Sequence, residues 1–266
     1  MSTSTSTVFE DFLAEGEEIE SMVANLDEAG WNTDTPAVGW TVANQIAHLA
    51  FTAAFAELAV VDEPALKELA AVAQEDYQGA IDSALAMYMA MPIPQLLAEW
   101  RDKRETAARL LAALPAESTV PWLVDRLQPS VLAAAGLAEL FAHGQDIADA
   151  LGVTRVYTDR IGHVAWYGTY MRDFAYLSRD LTPPADKFRF ELIGPSGVQW
   201  NFGPAEATQR VTGPAADFCL VVTRRRHRDD TALTVTGEEA DRWLDIAQLY
   251  QGPAGPGRQA GQFASA

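Results

Sequence analysis

From Val8 to about Asp180 the apolar side chains recur every three or four residues, in one long stretch after another. That spacing lines one face of an α-helix, and a helix with an apolar stripe must bury it against other helices. Val8, Phe9, Phe12, Ile19, Met22, Val23 and Leu26 predict a helix over 8–28. Gly30 to Gly39, rich in Gly, Pro, Asn, Asp and Thr, predicts a loop. Thr41 is placed to cap a helix running to about Val61. Pro64 opens a third stretch to about Met89, and Pro94 suits the first turn of a fourth over 94–113. Pro115 to Pro121 breaks the pattern. An Ala/Leu-rich helix over 129–151 follows, ended by Gly152. A further helix is expected from Thr158–Asp159 to near Asp180. Long helices with short links describe an up-down bundle.

After Pro183-Pro184 the period changes. Phe188 to Ile193 alternates apolar and charged residues, and Val198 to Phe202 follows across Gly194-Pro195-Ser196-Gly197, a hairpin signal. Ala215 to Val222 fits helix or strand, Thr231 to Thr236 alternates like a strand, and Glu238 to Tyr250 predicts a helix. The tail from Gly252 is Gly/Pro/Ala-rich and is expected to be irregular. The fold class expected is therefore α+β: a helix bundle over residues 1–182 and a small α+β domain over 183–266.

Charge narrows the function. The net charge is −18; residues 1–152 carry 24 acidic and 6 basic side chains, and residues 153–266 carry 13 of each. A chain so acidic lacks the basic footprint that phosphate backbones require, which excludes nucleic acid as a partner. The single Cys, Cys219, excludes an intramolecular disulfide and sits among apolar neighbours as a core thiol. Met1 to Thr7 has neither the basic nor the apolar region of a secretory signal. The apolar stretch Ile46 to Val61 is short for a bilayer and contains His48 and Glu57. A cytoplasmic protein without a membrane partner, monomeric or homodimeric and acting on a small molecule, is expected.

The chemistry lies in polar residues on apolar helices. Glu139 and His143 are four apart, so they project from one face. Their neighbours are apolar, as are those of His48 on the second helix. A carboxylate and imidazoles facing a bundle core are costly unless paired or bound to something. Packed together, the two helices can assemble a three-ligand metal site. Two His and one carboxylate leave a coordination position open, which suits catalytic Zn²⁺ and equally non-haem Fe(II). Asp146 is a candidate proton shuttle, and Asn44 and Trp40 are candidate substrate contacts. Arg224, Arg225 and Arg226 form the dense basic cluster of the chain, a candidate clamp for a carboxylate or phosphate.

Two segments carry a family resemblance: Gly39-Trp40-Thr41-Val42-Ala43-Asn44-Gln45-Ile46-Ala47-His48-Leu49 and Glu139-Leu140-Phe141-Ala142-His143-Gly144-Gln145-Asp146. Val211-Thr212-Gly213-Pro214-Ala215-Ala216-Asp217 adds a third. The chain resembles the mycothiol-dependent maleylpyruvate isomerase family, whose N-terminal domain is a DinB-like metal-binding four-helix bundle. Its longer basic run at Arg224–Arg226 looks more like a subgroup than the isomerase itself. The resemblance implies Zn²⁺ held at His48, Glu139 and His143, and mycothiol or a similar thiol as cofactor. It implies an isomerase or S-transferase that uses a metal-bound thiolate on an electrophile, with a C-terminal Arg holding carboxylates. A thiol-independent Lewis-acid isomerase, cyclase or hydrolase and a non-catalytic metal-containing protein remain the alternatives.

Overall fold

The computed structural model describes residues 7–123 and 125–263. The chain forms two compact units, one ending at Arg155 and the other beginning at Val156.

The first unit contains α1 (Val8–Val23), α2 (Glu28–Trp31), α3 (Val42–Val61), α4 (Glu63–Glu75), α5 (Tyr77–Met89), α6 (Ile93–Ala112), the short antiparallel pair β1 (Val120–Pro121) and β2 (Arg126–Leu127), and α7 (Pro129–Leu151). Helices α1, α3, α6 and α7 pack into a bundle, with α4 and α5 against α3. Ile19, Ile46, Leu49, Leu96, Trp100, Leu137, Leu140 and Phe141 are fully buried at its centre. Each such side chain contributes about 1.5–3 kcal/mol through burial.

Local chemistry sets the helix ends. Thr7 and Glu10 form a capping box at α1, and Thr41 and Asn44 another at α3. Gly152, at φ +66°, closes α7 as expected. Two expected helices are each split by an aspartate. The helix predicted over 8–28 stops at Val23, and Asp27 accepts the Gly30 N–H at 2.8 Å to start α2. The stretch from Pro64 to Met89 breaks at Asp76, which accepts the Gly79 N–H at 2.9 Å and starts α5. A short acidic side chain that captures a backbone N–H competes with helix continuation, which apolar spacing alone does not reveal.

The apolar stretch read as short for a bilayer is part of a 20-residue helix, α3, long and apolar enough to cross one by length and composition. Its packing against α4, α5, α6 and α7 makes it the bundle's core helix.

The second unit contains α8 (Ile161–Tyr170), α9 (Phe174–Leu177), β3 (Phe188–Ile193), β4 (Gln199–Phe202), β5 (Gln209–Pro214), α10 (Ala215–Val222), β6 (Thr234–Thr236) and α11 (Glu238–Ile246). The sheet order is β4-β3-β5-β6; β3 pairs with β4 in the expected hairpin and with β5 in parallel. Phe188, Phe190, Phe218 and Trp243 pack edge to face and stacked as its aromatic core.

The boundary expected at 182/183 is corrected to 155/156. The physical reason is α8: it packs against α10, and Gly168 approaches Phe218 and Val222 so closely that a Cβ there would lie 2.9 Å from Val222. The helix expected to near Asp180 is two, α8 and α9. The segment Ala215 to Val222 is helical, and the last expected helix stops at Ile246, where the Leu249 N–H turns to the Val222 carbonyl at 3.0 Å.

Candidate metal centre

Helix α3 starts at the Thr41 box: the Thr41 N–H donates to Asn44 Oδ1 at 2.9 Å, and its hydroxyl donates to the same oxygen at 2.8 Å. Replacing Thr41 by Ala is expected to lower stability by about 1 kcal/mol, read from the denaturant midpoint. The box fixes where α3 begins and so where His48 lies. Helices α3 and α7 pack together, which brings His48 to Glu139 and His143.

One carboxylate oxygen faces both imidazoles. His48 Nε2 and His143 Nε2 each lie 3.2 Å from Glu139 Oε2, and the three ligating atoms fall within 4.8 Å of one another. Ligands roughly 2.0–2.1 Å from a tetrahedral Zn²⁺ are separated by about 3.3–3.4 Å, so this spacing fits one small divalent cation. The side chains are 12% (His48), 12% (His143) and 28% (Glu139) exposed, so the group is sheltered yet reachable.

Trp40 walls the group: its ring stacks on His143 at 5.9 Å and lies tilted over His48 at 5.3 Å. Gly39, at φ +80°, allows the turn that brings it there. Asn44, the expected substrate contact, caps α3. Its amide oxygen is bonded twice by Thr41. The residue that reaches the site is its neighbour Gln45, completely buried, whose Oε1 lies 2.5 Å from His143 Nδ1. The sequence held a signal for it, a glutamine one turn before His48 on an apolar helix. Asp146 is completely buried and is not one of the three converging groups.

Burial pushes the Glu139 carboxyl up, but hydrogen bonds and charge from His143 and His48 reverse this and hold it well below the usual carboxylate range. The carboxylate is thus an anion ready for a cation. His48 Nδ1 is buried and has no hydrogen-bond partner among the described residues, whereas His143 Nδ1 is anchored by Gln45.

The basic cluster lies in the second unit. Arg224 is left-handed at φ +60° and ends α10 in a Schellman turn, with Arg225 N–H to the Leu220 carbonyl at 2.8 Å and Arg224 N–H to Val221 at 2.9 Å. Arg225 donates to the Thr223 carbonyl, and Arg226 donates to the Arg225 carbonyl and lies over the Phe263 ring at 4.2 Å. Arg224 donates to the Gly255 carbonyl at 3.0 Å, while its Nε is buried with no hydrogen-bond partner among the described residues. Burial and the charge of Arg224 push the pKa of Arg179 down, so two guanidiniums share one neighbourhood. Sequence reasoning missed Arg179, which is 45 residues upstream of Arg224.

Residues 12–148 match the family described as mycothiol maleylpyruvate isomerase N-terminal domain. The chain belongs to that family. The matched span contains His48, Glu139 and His143. Residues 184–236 match a second family, described as wyosine base formation. Two Mycobacterium tuberculosis relatives, "Uncharacterized protein MT0041" (strain CDC 1551 / Oshkosh) and "Uncharacterized protein Rv0036c" (strain ATCC 25618 / H37Rv), are each 42% identical over 248 residues, 93% of this chain and 96% of theirs. Two crystal structures of the mycothiol-dependent maleylpyruvate isomerase, one of them a mutant, share the fold, with TM-scores of 0.55 and 0.53, 15% identity, and coverage of 86% of this chain and 95% of theirs.

Proposed function

We propose that this member of the mycothiol maleylpyruvate isomerase family is a metal-dependent, thiol-dependent isomerase or S-transferase. Its substrate is a small electrophile bearing carboxylate or carbonyl groups. Zn²⁺ is the proposed metal, mycothiol or a similar thiol the cofactor, and the cytoplasm the location. The convergence of two imidazole nitrogens and one ionised carboxylate oxygen beside Trp40 carries this reading. A divalent cation held there supplies a thiolate at neutral pH, where a free thiol with a pKa near ~8.5 is mostly protonated.

The chain's own residues do the rest. Its one cysteine is buried and donates to the Ile161 carbonyl at 3.6 Å, so the nucleophilic thiol comes from outside. Trp40 supplies an apolar wall that excludes water from one side of the group. Arg224, Arg225 and Arg226 are the arginines proposed to recognise a carboxylate, because guanidinium forks match carboxylates in two-point contact. Among the three clustered arginines Arg224 is favoured because its Nε is buried with no hydrogen-bond partner among the described residues.

The test is turnover of maleylpyruvate and related unsaturated keto acids by Zn²⁺-loaded protein, with and without thiol. Turnover that requires both metal and thiol is expected, with KM raised in Arg224→Ala. Turnover that persists without thiol would replace this reading by a thiol-independent Lewis-acid enzyme. Metal uptake with no turnover of any pair would leave a metal-containing binding protein.

Acid should release the cation. Neutral imidazoles are the ligands, so protons compete for them. Glu139 is already ionised below the usual carboxylate range, so at the acid end two protons leave per cation bound, not three. The logarithm of affinity is expected to fall with decreasing pH at a slope approaching two, measured by competition with a chromophoric chelator.

A further inference from the structure

We propose that Gln45 is a positioning residue that fixes the tautomer of His143 through a hydrogen-bond relay anchored on the Trp40 backbone carbonyl. This rests on the reading of His48, Glu139 and His143 as ligands.

The polarity of the relay follows from its fixed end. The Trp40 carbonyl can only accept, and it takes both the Thr35 N–H and the Thr35 hydroxyl at 2.8 Å. The hydroxyl proton is thereby committed, so Thr35 Oγ1 accepts from its other partner, Gln45 Nε2, at 2.8 Å. The amide must then present its oxygen on the opposite side, where His143 Nδ1 lies 2.5 Å away. Nδ1 therefore carries the proton and donates it, and in the neutral ring Nε2 is left as a lone pair facing Glu139 Oε2 at 3.2 Å. That contact is held either by a second ring proton, which Nε2 then donates to Glu139, or by a metal ion in its place, and with the proton fixed on Nδ1 it is Nε2 that is left to ligate. The relay also ties the turn carrying Trp40 to the ring on which Trp40 stacks. Gln45 and Thr35 are both buried, so water does not compete for these groups. Among the described residues the Nδ1 of His48 has no comparable partner, so the preset tautomer belongs to His143.

The test combines three variants with two readouts: the ¹⁵N resonances of His143 in metal-free protein, which report the tautomer, and Zn²⁺ affinity by chelator competition. Wild type is expected to show a single Nδ1–H tautomer wherever the ring is neutral. Gln45→Leu, close in shape but without an acceptor, is expected to give mixed tautomers and an affinity about tenfold or more lower. Gln45→Glu, whose carboxylate can only accept and so still takes the His143 Nδ1 proton, is expected to restore the tautomer and most of the affinity. Should Gln45→Leu fail to fold, Thr35→Val tests the same relay, because removing the hydroxyl frees the amide to flip and mixed tautomers are expected. Unchanged tautomer in Gln45→Leu or Thr35→Val, or a Gln45→Glu variant no better than Gln45→Leu, would overturn the proposal. Wild-type protein that takes up no Zn²⁺ but shows the Nδ1–H tautomer would reject the metal reading and leave the relay standing.

Discussion

Alanine at His48 or at His143 is expected to abolish stoichiometric cation binding and to leave the bundle folded. Each imidazole supplies one of three converging atoms, and a site left with one imidazole and one carboxylate cannot hold a zinc-like ion against solvent. The loss in affinity should exceed the roughly 10–100-fold that removal of an outer hydrogen-bond partner costs. Folding should survive, because the two rings lie at a partly open site and the apolar core is built around Ile46, Leu49, Leu137, Leu140 and Phe141. Calorimetric titration with Zn²⁺ beside circular dichroism reads both quantities. Retention of tight binding in both variants would reject these residues as ligands. The thiol-dependent turnover should disappear with the metal.

Arg155→Ala is expected to cost about 3–5 kcal/mol of stability, the largest loss from any single change considered for this chain. The Arg155 guanidinium is buried and contacts Glu15, itself 1% exposed, and Glu18 at 3.0 Å. Its Nη1 also donates to the Phe141 carbonyl at 3.2 Å, and the guanidinium lies 5.5 Å from the centre of the Phe141 ring. Truncation removes the cation that faces the buried Glu15 carboxylate. The consequence reaches the metal centre, because Arg155 joins α1 to α7 at Phe141, between Glu139 and His143. Guanidinium denaturation should show the shift in midpoint, and Glu15→Gln combined with Arg155→Ala should recover part of it. A single-variant loss below about 1 kcal/mol would show that the pair is not the buried, mutually dependent unit described.

The bundle was legible because helical periodicity, Thr41, Pro94 and Gly152 all pointed to the same elements, each by an independent physical route. The convergence of His48, Glu139 and His143 was legible for the opposite reason. These residues break the apolar pattern, and Glu139 and His143 do so at a spacing that only a helix brings together. Asp27 and Asp76 were not recognised as breaks, since an aspartate among acidic helices looks like another solvated charge. The parallel strand β5 was missed because Gln209 to Pro214 buries only Val211 and shows no alternation. Its place is set by pairing with β3, a long-range event that local sequence does not encode. The boundary was misplaced at Pro183-Pro184 because a change of period marks where strands begin, whereas the structural division depends on which partner α8 buries against. Asn44 and Gln45 show the finest limit. They are adjacent and chemically alike, yet the capping box consumes one and the interior takes the other.

The central claim is tested most directly by the metal content of the purified full-length protein, measured by elemental analysis before and after dialysis against Zn²⁺ and exhaustive buffer. One equivalent of a divalent cation per chain is the result predicted. Folded protein that carries none and acquires none would contradict the account.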